Sequence, residues 1–258
     1  KELKHYKEHF CGKTVICNCD DPRVSNFFHY FSFNFEALGL KKLITTCYKN
    51  QERDFFSKNE CDQAVYLEYE GDKNGNHIPD AEEIGVKPLK GDGDFRSAEC
   101  IELLKQADVV VTNPPFSLFK EFVKVLMDNN KDFIILGNMN AITYKEVFPY
   151  IKENRIRLGF TNGAKSFIRP NGEEKTVNIC WYTTFPISKH NEELILFRKY
   201  TPEAYPKYDN YDAINVDKVA DIPCDYDDVM GVPITFLDKY NPKQFQIIGN
   251  EYSLNIDR

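Results

Sequence analysis

Ala107-Asp108-Val109-Val110-Val111-Thr112-Asn113-Pro114-Pro115-Phe116 is the stretch that decides how this chain folds. A β-branched apolar run of this length predicts a strand buried on both faces of a parallel sheet. Two prolines end it, because neither donates to a ladder and each restricts the residue before it. The chain therefore leaves the strand's carboxyl end in a stiff, extended turn, where open α/β sheets bind ligands. The Asn113 side-chain oxygen and the Pro114 carbonyl are acceptors held in that turn, and Phe116 adds an aromatic face. Such a set suits a planar nitrogen-bearing group, with the amine on the acceptors and the heterocycle on the ring. The competing account is a proline-terminated strand whose Phe116 fills core.

Outward from this stretch, strand and helix alternate. Leu3–Phe10 predicts the end of a helix, Lys13–Cys17 a short strand, Asn18–Pro22 a turn and Val24–Leu38 an aromatic-rich helix. Lys42–Cys47 is a second strand. The alternating run Ala64–Tyr69 reaches a turn at Gly71–Asn76 and returns through Ile84–Leu89, a hairpin insertion over about 62–90. Ser97–Gln106 and Leu118–Asp128 flank the central strand as helices, followed by a strand at Asp132–Leu136 and a helix at Tyr144–Glu153. This is the pattern of an α/β fold with a doubly wound, mostly parallel sheet. Past Arg155 the signal turns to β, at Ile156–Phe160, Ser166–Ile168, Val177–Thr184 and Leu194–Phe197, with Asn171-Gly172 as a hairpin signal. The expected division is a catalytic domain over 1–185 and a C-terminal recognition or accessory region over 186–258.

Composition narrows the function. With 42% hydrophobic residues, 20 Phe and 15 Tyr in 258 residues, the chain has ample material for a core. No run approaches the ~18 apolar residues of a membrane span, and the cytoplasm is the expected setting. Lys1 stands where a Met would begin a chain, so an upstream element is expected. The eight cysteines are scattered without a CxxC pair, which fits small hydrophobes in a reducing compartment and no metal site. A net charge of −7 argues against indiscriminate nucleic-acid binding. Residues 152–175, however, hold six basic against three acidic side chains, and residues 203–228 hold eight acids against two lysines. A basic face beside an acidic tail is compatible with docking on a phosphate backbone in one orientation, or with ordinary surface variation.

The expected ligand site gathers three segments. Residues 13 to 38 contain no glycine, which counts against the pyrophosphate of NAD, FAD or ATP at the first strand's end. Small residues with Asp20 and Asp21 can meet a ligand without phosphate, the alternative for the Asp pair being an N-cap. Gly91-Asp92-Gly93-Asp94-Phe95 is a tight turn with Asp94 and Phe95 side by side, and Cys47-Tyr48 ends the second strand.

Asn-Pro-Pro-Phe resembles the catalytic motif of S-adenosylmethionine-dependent methyltransferases acting on exocyclic or amide nitrogens. Together with Asn18-Cys19-Asp20-Asp21-Pro22-Arg23, Cys180–Thr184 and the run Met230–Tyr240, it makes the chain similar to the EcoRI-type adenine-specific DNA methyltransferase family from about Gly12 to Asn250. The resemblance implies a Rossmann-like sheet with a β-rich C-terminal recognition region, and S-adenosylmethionine as cofactor. It also implies double-stranded DNA as substrate, and a restriction endonuclease of the same specificity as a candidate partner. Asn113, Pro114, Pro115 and Phe116 would be catalytic. Cys17, Asn18, Asp20, Asp21, Ser25, Cys47, Tyr48, Asp94, Phe95 and Asn113 would hold cofactor. Asp94 would accept the cofactor's adenine amine, and Cys47 and Tyr48 stand where such enzymes usually present an acid to the ribose. Family members carry a further cofactor segment upstream of the first strand.

Adenine's 6-amino group is paired and stacked in a duplex, so such an enzyme must flip the base out. Phe116 is expected on one face of the flipped base, and Phe167 or Trp181 on the other. The expected DNA contacts are Arg155, Arg157, Lys165, Phe167 and Arg169. Two rival functions are methylation of RNA amino groups or a protein glutamine, and a non-catalytic nucleoside-binding or DNA-recognition subunit. Asp72, Asn74, Asn76, Ile78, Asp80 and Glu83 have the spacing of a calcium loop, but His77 fills its glycine slot and a polar hairpin tip is favoured.

Overall fold

The computed structural model describes residues 1–19, 25–48, 64–76, 79, 83–168 and 174–256. After a 3-10 helix at Glu2–His9 come β1 (Thr14–Asn18), α1 (Asn26–Phe33), α2 (Phe35–Leu38) and β2 (Lys42–Cys47). Then follow β3 (Val65–Tyr69), β4 (Gly85–Pro88), α3 (Ala98–Gln106), β5 (Val109–Thr112), α4 (Phe119–Asp128) and β6 (Asp132–Asn138). The remainder holds α5 (Phe148–Lys152), β7 (Arg157–Leu158), β8 (Gly163–Ile168), β9 (Glu174–Thr183), β10 (Ile214–Asn215), β11 (Met230–Gly231) and α6 (Glu251–Leu254).

Nine strands form one sheet in the order β4-β3-β2-β1-β5-β6-β9-β7, with β8 also paired to β9. Its centre, β2-β1-β5-β6, is parallel, and the margins are antiparallel. The central strands are buried on both faces, which explains their unbroken apolar sequences. Ile16 and Val110 face a layer containing α3, α4 and much of the tail. Val15, Cys17, Val109 and Val111 face the opposite layer of α1, α2 and the first 3-10 helix. The sheet is therefore doubly wound, as expected. Tail residues Tyr205, Ile214, Phe236, Leu237 and Tyr240 share the core cluster of Phe119 and Phe122.

Several elements depart from expectation. Ser25 caps α1, its Oγ accepting from the backbone N–H groups of Phe27 and Phe28 at 3.2 Å each. The helix expected from Tyr144 starts only at Phe148, with Pro149 in its first turn. The strand expected over Ile156–Phe160 is confined to Arg157–Leu158. Leu194–Phe197 alternates half-buried and exposed side chains but joins no sheet. The Gln244 amide takes the place of a neighbouring strand, bonding Leu194 N at 2.8 Å and Leu194 O at 2.9 Å. At the hairpin tip, Asp72 accepts from Gly75 N and Glu83 from Lys73 N, each at 2.6 Å, so these carboxylates organise the turn; His77, Ile78 and Asp80 lie outside the described residues. Among the described residues no helix is long and apolar enough to cross a membrane.

Candidate active site

The sheet's switch point lies between β1 and β5, from which the chain winds outward in opposite directions. Here the Thr112 hydroxyl donates to the Asn18 carbonyl, locking the two carboxyl ends together. Asn18 is buried, and its Oδ1 has no hydrogen-bond partner among the described residues. Cys19 follows with φ +67°, a left-handed conformation rare for a residue with a side chain. Cys17 is fully buried in the layer of α1.

The second segment abuts the end of β2. Gly93 has φ +82°, and a Cβ there would lie 2.7 Å from the Cys47 carbonyl oxygen and 3.1 Å from Tyr48 Cα. Glycine thus allows the turn before Asp94 to pack against Cys47-Tyr48, with Cys47 fully buried and Tyr48 36% exposed. Asp94 is chelated by Arg96, whose Nε and Nη2 donate to its two oxygens at 2.9 and 2.6 Å. Those hydrogen bonds hold the Asp94 carboxyl below its ordinary pKa, against the opposing effect of burial. Phe95 points away from solvent, 5% exposed, edge-on to Phe122 of α4 with ring centres 5.0 Å apart.

Asn113 and Phe116 are half-buried and Pro114 is buried. Phe116 opens a one-turn 3-10 helix, closed by Leu118 N donating to Pro115 O at 3.0 Å. Behind it, α4 buries Phe119, Phe122, Val123, Leu126 and Met127. The motif is thereby fixed between a fully buried strand and a deeply anchored helix, which gives its acceptors a defined direction.

The structure thus brings Asn18, Cys47, Tyr48, Asp94 and Asn113 to one edge of the sheet. Ser25 stands at the start of α1, bonded as its cap, and Cys17 and Phe95 lie in core layers beside that edge. Asp20, Asp21 and Arg169 lie outside the described residues, as do the side chains of Lys165 and Phe167. Trp181 is half-buried in the layer of α1, edge-on to Phe27 at 6.0 Å. Arg157 donates to the Thr184 carbonyl at 2.8 Å, and burial lowers its pKa. Its strand partner Thr183 pairs with Ile134, which is level with Val111, two residues before Asn113; Thr184, which its guanidinium reaches, bonds Asp132 at the start of β6, on the far edge. Arg155 sits over the Tyr150 ring at 5.1 Å, with Glu153 at 3.7 Å.

Sequence reasoning missed the Arg96 chelate, whose signal is an acid and an arginine two residues apart in a turn. It also missed a cavity of about 550 Å³, lined by Ile142 and Thr143 after β6 and by Tyr208, Tyr226, Met230 and Phe236 of the tail.

Strand β9 outruns the sheet. Asn138, the last residue of β6, pairs with Ile179, while residues 174–178 pair only with β8. The β8–β9 ribbon therefore projects past the edge that carries Asn113, by five residues or roughly 17 Å.

Residues 1–257 match the family model described as adenine-specific methyltransferase EcoRI. The chain is 49% identical to the type II methyltransferase M.EcoRI of Escherichia coli, over 96% of this chain and 81% of that protein. It is 39% identical to M.MgeORF184P of Mycoplasma genitalium and 37% to M.MpnI of Mycoplasma pneumoniae, both named type II methyltransferases, over 96% of this chain and 78% of each relative. The chain belongs to the EcoRI family of adenine-specific methyltransferases.

Proposed function

We propose that the chain transfers a methyl group from S-adenosylmethionine to the 6-amino group of an adenine flipped out of a specific duplex DNA sequence. Family membership makes it an adenine-specific methyltransferase. The observation that carries the finer reading is Asn113-Pro114-Pro115, held rigidly at the switch point beside the buried, unpartnered Asn18 Oδ1. An orphaned acceptor in a closed strand end suits the amino-acid end of the cofactor, whose ammonium can satisfy it. The Gly93 turn against Cys47-Tyr48 forms the neighbouring nucleoside wall, with Asp94 as acceptor for the adenine amine. When bound, S-adenosylmethionine supplies a methyl group on a positively charged sulfonium.

Asn113 Oδ1 and the Pro114 carbonyl accept the two N–H bonds of the target amine. Accepting both draws the nitrogen toward a pyramidal shape and frees its lone pair, which is otherwise delocalised into the ring. The same acceptors stabilise the positive charge that develops on nitrogen, the electrostatic share of the rate. Alignment by the rigid turn provides the proximity share. Phe116 stacks on the flipped base.

The projecting β8–β9 ribbon is the proposed DNA-contacting element, because a two-stranded ribbon fits a DNA groove. Its sequence carries Lys165, Phe167, Arg169 and Lys175. Arg157 has no part in this proposal, since its guanidinium is engaged by Thr184 on the opposite edge. Residues 186–258 form the accessory part of the recognition region, and an endonuclease of the same specificity is the proposed partner. Long-read sequencing of DNA from cells expressing the chain tests the whole reading. N6-methyladenine in one sequence context supports it; unmodified adenine, with methyl label on RNA or protein, refutes it.

A further inference from the structure

The Asp94 carboxylate receives three hydrogen bonds from a single residue. Arg96 Nε and Nη2 hold the two oxygens, and the Arg96 backbone N–H donates to Oδ1 at 2.8 Å. A carboxylate offers about four acceptor sites, so one remains, enough for a single further N–H. The planar guanidinium fork, which lysine cannot reproduce, is what fixes the carboxylate plane.

Arg96 has a second charged neighbour. Its preceding residue, Phe95, packs on Phe122, which sets the turn against the first turn of α4, where Glu121 stands. The Asp94 hydrogen bond and charge hold the Arg96 guanidinium above its ordinary pKa, and the charge of Glu121 adds to that in smaller measure. The Glu121 Oε2 atom is buried and without a hydrogen-bond partner among the described residues. A buried carboxylate oxygen left unsatisfied is costly unless a cation stands nearby, and the Phe95–Phe122 contact brings Arg96, the residue after Phe95, toward this helix turn.

We propose that Arg96 is a positioning residue for the cofactor's adenine, fixing the Asp94 carboxylate as a one-hydrogen acceptor for the exocyclic amine, with Glu121 as the counter-charge that steadies the guanidinium. The inference rests on the reading of Asp94 as the adenine acceptor. An exposed turn would otherwise leave the carboxylate free to rotate, and the clamp removes that freedom before the ligand arrives. It also sets specificity. A purine bearing a 6-oxo group brings an acceptor against the remaining lone pair and is rejected, because acceptor faces acceptor.

Calorimetry with S-adenosylhomocysteine and S-inosylhomocysteine tests this on wild type, Asp94→Ala, Arg96→Ala, Arg96→Lys, Glu121→Gln and the Asp94→Ala/Arg96→Ala double variant, with melting of each unliganded protein alongside. Arg96→Ala should bind S-adenosylhomocysteine about tenfold more weakly, a factor that equals ~1.4 kcal/mol. It should also discriminate less against the inosyl ligand, while melting like wild type. Arg96→Lys should show the same loss in part, and serves should the alanine variant not fold. The double variant should bind no more weakly than Asp94→Ala, because Arg96 acts only through Asp94. Glu121→Gln should weaken binding by a smaller factor. If Asp94→Ala weakens binding while both Arg96 variants match wild type, the inference is overturned and the Asp94 reading stands. If the double variant loses as much as both single variants combined, Arg96 touches the ligand itself and the inference is overturned. Unchanged affinity in Asp94→Ala removes the Asp94 reading, and the inference with it.

Discussion

The Thr112 hydroxyl donates to the Asn18 backbone carbonyl across the switch point, so the residue before Asn113 and the last residue of the first strand form one unit. Both are buried, Thr112 completely. Thr112→Val keeps the shape and removes the donor, leaving a buried carbonyl unsatisfied. The expected cost is about 1–3 kcal/mol in urea unfolding, with Thr112→Ser retaining most of the stability. Equal midpoints for Val and wild type would deny the bond its role.

Cys19 holds φ +67° between the end of β1 and the loop that leads to α1. A side chain in that region costs ~1–2 kcal/mol. Cys19→Gly should therefore raise stability by about 1 kcal/mol, less the added freedom of the unfolded chain, and Cys19→Val should lower it. Thermal melting of the two variants checks the opposite signs. Strain of this kind gathers at ligand sites, so the Gly variant should also bind cofactor less well.

His190 is 5% exposed, and neither ring nitrogen has a hydrogen-bond partner among the described residues. Burial first, then the cations of Lys189 and Arg157, push its pKa down to about 4, with Asp238 opposing. The folded state therefore resists protonation more than the unfolded chain, whose histidine titrates near 6.5. Stability is complete above pH 6.5 and is lost as pH falls toward 4, by roughly 3 kcal/mol. His190→Phe should flatten this part of the pH–stability curve. An unchanged slope in that variant would place the titrating group elsewhere.

Ribbon β8–β9 should supply phosphate contacts. Lys165→Ala and Lys175→Ala are each expected to weaken DNA binding on cognate and random duplexes alike, and to reduce the salt slope by roughly one unit. Arg157→Ala should leave the slope unchanged. The reverse pattern, measured by fluorescence anisotropy across a salt series, would move the interface to the other edge of the sheet.

Much of this was legible in the sequence because the parallel centre must be buried on both faces. Val109–Val111, Ile134-Ile135 and Leu43–Thr46 are continuous apolar or β-branched runs that fit little else. The proposed ligand edge was read from the prolines after Asn113 and from the Gly93 turn. What stayed hidden depends on tertiary partners. Leu194–Phe197 has the alternation of a strand, but its neighbour is the Gln244 side chain, fifty residues away in sequence from Leu194. Cys19 carries no sign of a left-handed backbone, since its residue type does not favour one. Phe95 was expected to hold cofactor beside Asp94, and its packing on Phe122 in the core depends on a partner 27 residues away. Arg157 was expected as a DNA contact, and its hydrogen bond to the Thr184 carbonyl could not be read from sequence.

Asn113→Ala removes the side chain proposed to activate the target amine. The measurement is single-turnover methyl transfer to duplex DNA, read as N6-methyladenine by nucleoside mass spectrometry, with cofactor affinity measured on the same preparation. The account predicts a rate lower by about 10²–10³-fold with cofactor affinity close to wild type. A variant that retains more than about a tenth of the wild-type rate, against that magnitude, or that loses cofactor binding in proportion to rate, would contradict it.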